Sequence, residues 1–559
     1  MPARPRRMRS ATLVAVLVSL AMLLSRTPAQ AAAHQQIQGS GSSWATNALN
    51  VWIAGVTSSG LQVVFTSTGS AQGRKDFGNS TTDFAVSDIG YQGRDPQTGD
   101  VDVPCKLGST SNCRDYGYLP IVAGGTAFAY HLQINGSLVR NLRLSGSTLA
   151  KIFTAKIKNW NDPAITADNN GRKFPSIPII PIVHSEGSGS TAQFTQYLDT
   201  EHPDIWRGYT GKAGETEYYP KGPSMIAQNG SDGVMNYIAS AAANGAIGYD
   251  EYSYALGKNY PVAKIENAAG YFTLPTQFNV AVALQKAQIN TNKSDPNYLL
   301  QKLDQVYVDS DKRTYPLSSY SYGIIPTAAN DDRLNTAKRQ TLADFLFYSV
   351  CQGQAQIGPV GYSALPLNLV QASFDQIAKL KAADPNVDLT SRNVTSCNNP
   401  TFVAGNLSAN RLAQIAPQPP ACDFKNAGPC DGAGDSGTSG IPHSSGTDGS
   451  SSPNANGAAA GTAGQPGSTT KALKPGTNPK AGARGANQGT TIDPETGEPV
   501  ATDTQTAQAA PAATDLADYR QLNMSTLLGP LAVIEMLVVL IAPPLVYFYV
   551  IRPRARKRS

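Results

Sequence analysis

The sequence is poor in charge. Only 15% of its 559 residues are Asp, Glu, Lys or Arg, against roughly 25% in an average soluble protein. A chain held disordered throughout by its own charge is thereby excluded. Long apolar runs occur only at the two ends, so a polytopic membrane protein is excluded as well. The five histidines (His34, His131, His184, His202 and His443) form no group with metal-ligand spacing. None of the six cysteines makes a C-x-x-C pair, which argues against zinc and thioredoxin-like chemistry. No G-x-S-x-G elbow or P-loop is present. Excess positive charge is missing too, once the net +5 is located. Arg4, Arg6, Arg7, Arg9 and Arg26 lie in the first 26 residues, and Arg552, Arg554, Arg556, Lys557 and Arg558 in the last eight. Setting these ten aside, with Glu535 in the C-terminal apolar run, leaves 35 − 39 = −4 for the body of the chain. Such a body is no nucleic-acid binder.

What is present at the ends fixes the compartment. Residues 1–33 read as a secretory signal, with a basic start, an apolar stretch Ala11–Leu24 and a small-x-small Ala29-Gln30-Ala31. The run Leu528–Ile551, within a segment 525–551, is long enough to cross a bilayer as one helix. Glu535 and Pro543-Pro544 lie inside it, and residues 552–559 form a basic tail expected to stay cytoplasmic. The expected location is the cell membrane, single-pass, with the ectodomain outside. Cys105, Cys113, Cys351, Cys397, Cys422 and Cys430 all fall between signal and anchor, as disulfide partners in an exported chain should. Their spacing suggests 105–113, 351–397 and 422–430, among fifteen connectivities open to six cysteines.

Residues 431–515 contain no Phe, Trp or Tyr, and only Ile441, Leu473, Ile492 and Val500 as large aliphatics. This Gly/Pro/Ser/Thr/Ala stretch, taken as 431–520, cannot offset its chain entropy by burial and reads as a tether. Its Gly434-Asp-Ser-Gly437 spells a serine-protease nucleophile string, but no framework surrounds it to hold a triad.

The folded part is therefore 34–430. It alternates expected strands at Leu61–Thr66, Asp83–Val86, Ile177–Val183 and Ala246–Tyr249 with expected helices at Ala71–Phe77, Leu149–Phe153, Thr191–Leu198, Asp344–Val350 and Phe374–Lys381. That alternation indicates an α/β architecture with mostly parallel sheets, and a body of this size normally divides into two lobes. Four turns share one grammar of Ser/Thr with Gly or Asp: Gly39-Ser-Gly-Ser-Ser43, Thr66-Ser-Thr-Gly-Ser70, Ser87-Asp88 and Glu186-Gly-Ser-Gly-Ser-Thr191. Helix starts of this kind offer unpaired N–H groups, the positive end of the helix dipole and neutral hydroxyl donors. Such starts suit an oxyanion without needing a basic protein.

At these residues the sequence resembles the PstS-type phosphate-binding proteins of ABC transporters. The resemblance runs over most of 38–375. It includes Gly39–Trp44, Ser67–Gly73, Asp83–Asp88, Leu142–Gly146 with Ile152-Phe153 and Lys158-Asn-Trp-Asn-Asp-Pro163, Glu186–Thr191, Gly245–Tyr249, Tyr315–Ser318 and Gly361–Pro366. It implies a two-lobed, hinged periplasmic-binding-protein fold of type II. Residues 34–118 would begin lobe I, 119–268 would form lobe II, and 269–430 would complete lobe I with a C-terminal extension. The anion would bind between the lobes, with no cofactor, metal or catalytic residue, for delivery to an ABC permease. Ser43 and Trp44, Ser70, and Ser188, Gly189 and Ser190 would donate hydrogen bonds. Asp88 would accept from the protonated phosphate, which sulfate cannot supply. Two positions depart from the family pattern: His184 stands where the family has Arg, and Glu186 where it has Asp. Arg74, one turn into the helix after Ser70, is a possible stand-in for the missing guanidinium. A surface or sensory protein on the same fold, or a binder of another oxyanion, are the alternatives.

Overall fold

A computed structural model describes residues 34–430, apart from 95–100, 107–108, 110–111, 391 and 407–408. The signal, tether, Gly434-Asp-Ser-Gly437 string, apolar C-terminal run and basic tail lie outside the described residues. Among those described, no helix is long and apolar enough to cross a membrane.

The main sheet has eight strands: β1 (Ile37–Gly41), β2 (Val63–Ser67), β3 (Phe84–Ser87), β4 (Tyr116–Tyr130), β5 (Ile180–His184), β6 (Ile226–Gln228), β7 (Ala246–Glu251) and β8 (Ser318–Pro326). Their order is β6-β5-β7-β4-β8-β3-β1-β2. Each half repeats one plan. β1 lies parallel between β2 and β3, and β5 lies parallel between β6 and β7. β4 and β8 join the halves and run antiparallel to each other, to β7 and to β3. Every expected strand and helix named above appears; most ends shift by one to three residues, but the helices expected at Asp344 and Phe374 begin at Thr336 and Leu367, about two turns earlier.

β4 was not legible locally, because Pro120 and Gly124-Gly125 read as breakers. The structure accommodates both. The register between β4 and β8 slips at Ser321/Tyr322, so that Ser321 faces Val122 and Tyr322 faces Pro120. This bulge places the proline, which has no N–H to donate, at a break in the ladder. At the glycines β4 changes partner: Gly125 faces Ser318 on β8, and Thr126 faces Glu251 on β7.

The helices used below are α1 (Thr46–Thr57), α2 (Ser70–Gly78), α3 (Gly146–Phe153), α4 (Gly189–Glu201), α5 (Gly230–Ile238), α6 (Thr336–Val350) and α7 (Leu367–Ala383). α1 buries Leu49, Trp52 and Val56 along one stripe, the spacing that seats an amphipathic helix on a sheet. All four tryptophans (Trp44, Trp52, Trp160 and Trp206) are buried. The three disulfides are Cys105–Cys113, Cys351–Cys397 and Cys422–Cys430.

Candidate anion-binding site

The repeated plan sets where chemistry collects. In each half two strands feed helices directly from their carboxyl ends: β1 leads to α1 and β2 to α2, β5 leads to α4 and β6 to α5. Three of the hydroxyl-rich turns are junctions of this kind, 39–43, 66–70 and 186–191; the fourth, Ser87-Asp88, ends β3, and the β6–α5 junction is a further one that the sequence reading did not single out. Helix starts at strand carboxyl ends are where open α/β sheets take ligands.

Asp88, just after β3, is the focus. It is 3% exposed. Its Oδ1 accepts from Ser42 Oγ at 2.7 Å and Ser321 Oγ at 2.8 Å, and its Oδ2 from Ser70 Oγ at 3.1 Å. Burial pushes the carboxyl above its usual range, opposed by these three hydroxyls and by Arg74. Ser42 does two jobs, because its Oγ also accepts from the Ala45 N–H at 3.1 Å and so holds the turn that enters α1. The turn needs glycine at 41, where φ is +136° and a Cβ would strike the Val86 carbonyl.

The second half meets Asp88 through α4. Gln193 Nε2 donates to the Asp88 carbonyl at 3.0 Å. A Cβ on Gly189 would overlap Asp88 Oδ2 and lie 2.6 Å from Ser70 Oγ. Glycine is thus required at 189 by proximity, not by dihedral. Ser43 Oγ accepts from Ser231 Oγ, on the first turn of α5, at 2.9 Å. The peptide N–H groups of Ser43, Trp44, Ser70, Gly189 and Ser190 have no hydrogen-bond partner among the described residues. Ser188, expected among the donors as well, has its N–H engaged by the Glu217 carbonyl at 2.9 Å.

Two helix starts are completed from elsewhere in the site. α2 has no side-chain cap, and its Ala71 N–H donates to the Gly187 carbonyl at 3.1 Å. α5 has none either, and its Gly230 N–H donates to Glu186 Oε2 at 3.0 Å. Glu186 Oε1 holds His184 Nδ1 at 2.7 Å, so both carboxylate oxygens are engaged within the protein. His184 Nε2 lies 3.3 Å from Ser190 Oγ, which is 2.7 Å from Ser188 Oγ. Burial works to keep the imidazole neutral, but Glu186 and Asp250 outweigh it and the His184 pKa is raised. The Glu186 pKa is lowered: burial opposes ionisation, and His184 with the Gly230 N–H overcomes it. Both shifts favour an imidazolium–carboxylate pair, and in that form His184 donates from both nitrogens, to Glu186 and to Ser190.

Arg74 does not fill the place of the missing guanidinium. It is fully buried and already occupied, by Asp102 (2.5 Å), Ser87 Oγ (2.8 Å) and Glu217 (2.6 Å). It acts on the site at longer range, as a positive charge that helps keep Asp88 ionised. The Trp44 side chain is core rather than site, packed edge-on to Tyr362.

Sequence reasoning missed Ser42 as the direct partner of Asp88, and also Ser231, Ser321, Gln193 and Asp250. Ser231 had a signal: Asn229-Gly-Ser-Asp-Gly233 has the same grammar as the other turns. Ser321 had none, since it reaches Asp88 only through the pairing of β8 with β3.

The fold and the site define a class of protein, the PBP superfamily, whose domain model matches residues 26–352. Among curated relatives, the phosphate-binding protein PstS 2 of Mycobacterium tuberculosis is 31% identical over 62% of this chain and 86% of its own length. PstS of Xylella fastidiosa is 27% identical over 60% and 83%. The chain belongs to the PstS-type phosphate-binding protein family. The solved structure of a high-affinity periplasmic phosphate-binding protein, PfluDING, bound with phosphate at pH 8.5, is 20% identical over 65% of this chain and 97% of that one, with a TM-score of 0.46.

Proposed function

We propose that this protein captures inorganic phosphate at the junction of its two half-sheets and hands it to an ABC permease from the outer face of the membrane. Residues 34–118 and 269–430 would form one lobe and 119–268 the other, with β4 and β8 as the hinge. The segment 525–551 would anchor the body through the tether 431–520, leaving residues 552–559 in the cytoplasm. Residues 1–33 would direct export.

One observation carries the reading: Asp88, ringed by three hydroxyls, faces the start of α4 at Gly189. A carboxylate beside open N–H donors suits an anion that brings its own proton, as phosphate does and sulfate does not. Ser43, Trp44, Ser70, Ser188, Gly189 and Ser190 would supply the donors. His184, held by Glu186, would supply the positive charge that the family draws from Arg.

Calorimetric titration of the full-length protein in detergent with phosphate and with sulfate tests this. Phosphate should bind and sulfate should not. Failure to bind phosphate ends the reading, and equal affinities end the role given to Asp88. Phosphate uptake by cells with and without the gene separates transport from a sensory role at the surface.

A further inference from the structure

A second buried carboxylate stands behind the donors of the site. Asp250 lies near the carboxyl end of β7. The register that sets Ile182 opposite Gly248 brings His184 and Asp250, two residues on, side by side. Asp250 is 2% exposed. Its Oδ1 accepts from the Glu251 N–H at 2.7 Å, and its Oδ2 has no hydrogen-bond partner among the described residues. The Ser231 hydroxyl stands next to it and donates to Ser43 Oγ at 2.9 Å. Ser43 is in turn held by Tyr254, whose hydroxyl donates to the Ser43 carbonyl at 2.6 Å.

Resting on the anion-binding reading above, we propose that Asp250 is a positioning residue that sets, through Ser231, whether the Ser43 hydroxyl donates to the bound anion or accepts from it. A hydroxyl has one proton to give. With Asp250 protonated, Asp250 donates to Ser231, Ser231 to Ser43, and the Ser43 proton is left for a phosphate oxygen. With Asp250 ionised, the carboxylate draws the Ser231 proton, Ser231 accepts from Ser43, and Ser43 turns a lone pair toward the anion. The three-residue relay thus binds a proton together with the ligand, and no covalent bond other than O–H is made or broken.

The groups facing Asp250 are His184 on β5, Glu186 on the loop to α4, Glu251 and Tyr249 on β7, and Tyr254 on the short helix Tyr252–Gly257, with Asp232 of α5 acting on Tyr254. Burial, the largest influence, with Glu186 adding to it, pushes the Asp250 carboxyl up to about 7 against the opposing pull of His184 and Ser231. The relay therefore changes sense near neutral pH.

A double-mutant cycle tests it. Phosphate is titrated calorimetrically, from about pH 6 to about pH 9 to span this range and that of histidine, into full-length wild type, D250N, S231A and D250N/S231A. Asp250 also raises the His184 pKa, so D250N shifts the His184 titration in both backgrounds, and the relay is read as the difference between the two shifts. Wild-type affinity should fall about tenfold further over the range than that of D250N, whose amide always donates. In the S231A background, D250N should change the slope less than in the wild-type background, because the relay is already cut and only the direct effect of the Asp250 charge is left. S231T, which restores the hydroxyl, should restore the wild-type slope. The proposal is overturned if D250N flattens the profile equally in both backgrounds, which is charge repulsion alone, or if it leaves the wild-type slope intact. A wild type that binds no phosphate at any pH overturns the anion-binding reading itself, and the relay with it.

Discussion

The Ala71 peptide N–H, at the start of α2, donates to the Gly187 carbonyl on the loop that leads into α4. One half of the sheet thus caps a helix of the other. The site is drawn together in this form, and Gly187 and Gly189 mark how tightly. A Cβ on Gly187 would overlap Ala71 Cβ and lie 2.8 Å from the Tyr218 ring.

Gly189→Ala should therefore disturb the site directly. Alanine suits a helix start at least as well as glycine, so any loss of stability comes from overpacking against Asp88 and Ser70 and should be about 1–3 kcal/mol. The added methyl wedges between Asp88 Oδ2 and Ser70 Oγ, and phosphate affinity should fall at least about tenfold, or about 1.4 kcal/mol. Calorimetry with a parallel thermal melt checks this, and unchanged affinity would refute the close approach.

Asp88→Asn keeps an acceptor for Ser42 and Ser321 but turns a donor toward Ser70 Oγ and the ligand. Phosphate affinity should fall by about 10- to 100-fold, a loss of about 1.4–2.8 kcal/mol. Sulfate, no longer repelled, should gain. Competition between the two anions measures the change, and retained discrimination would place selectivity elsewhere.

His184 makes a signed pH prediction. Its folded pKa is raised, so the stability it contributes is complete below its unfolded value of about 6.5 and is lost as pH rises through the folded value. Glu186, with a lowered pKa, loses its contribution as pH falls below the ordinary carboxylate range. Denaturant unfolding should thus show a stabilising increment between those limits, and His184→Gln should remove its alkaline edge. A profile identical in the variant would mean that the pair is not charged.

Glu186, His184 and Ser190 lie in the order of a hydrolytic triad, 2.7 and 3.3 Å apart. The raised His184 pKa works against the neutral imidazole that would have to take the serine proton. A chromogenic phosphomonoester should show no turnover, and turnover abolished by Ser190→Ala would contradict the binding role.

The buried guanidinium of Arg74 joins α2 to Glu217 in the segment after α4. Glu217→Ala leaves Arg74 with Asp102 as its remaining charged partner and should cost about 3–5 kcal/mol in urea unfolding, as removing one partner of a buried pair does. Glu217→Gln, which keeps the acceptor, should cost less. A cost below about 1 kcal/mol would place the pair with ordinary surface ion pairs.

The sequence by itself determined what is local. Alternating strands and helices and the hydroxyl-rich turns at 39–43, 66–70, 87–88 and 186–191 were legible, because each depends on a few consecutive residues. Resemblance added Asp88 as the acceptor and His184 as the departure. Only the tertiary structure decided what depends on register between distant strands. The long β4 hides behind Pro120 and Gly124-Gly125, and its antiparallel course beside β8 joins the halves. The pairing of β8 with β3 carries Ser321 to Asp88, and that of β7 with β5 sets Asp250 beside His184. The tertiary structure also settled where Arg74 goes. A guanidinium one turn into α2 can turn toward ligand or core, and two carboxylates, 28 and 143 residues away in the chain, turned it inward.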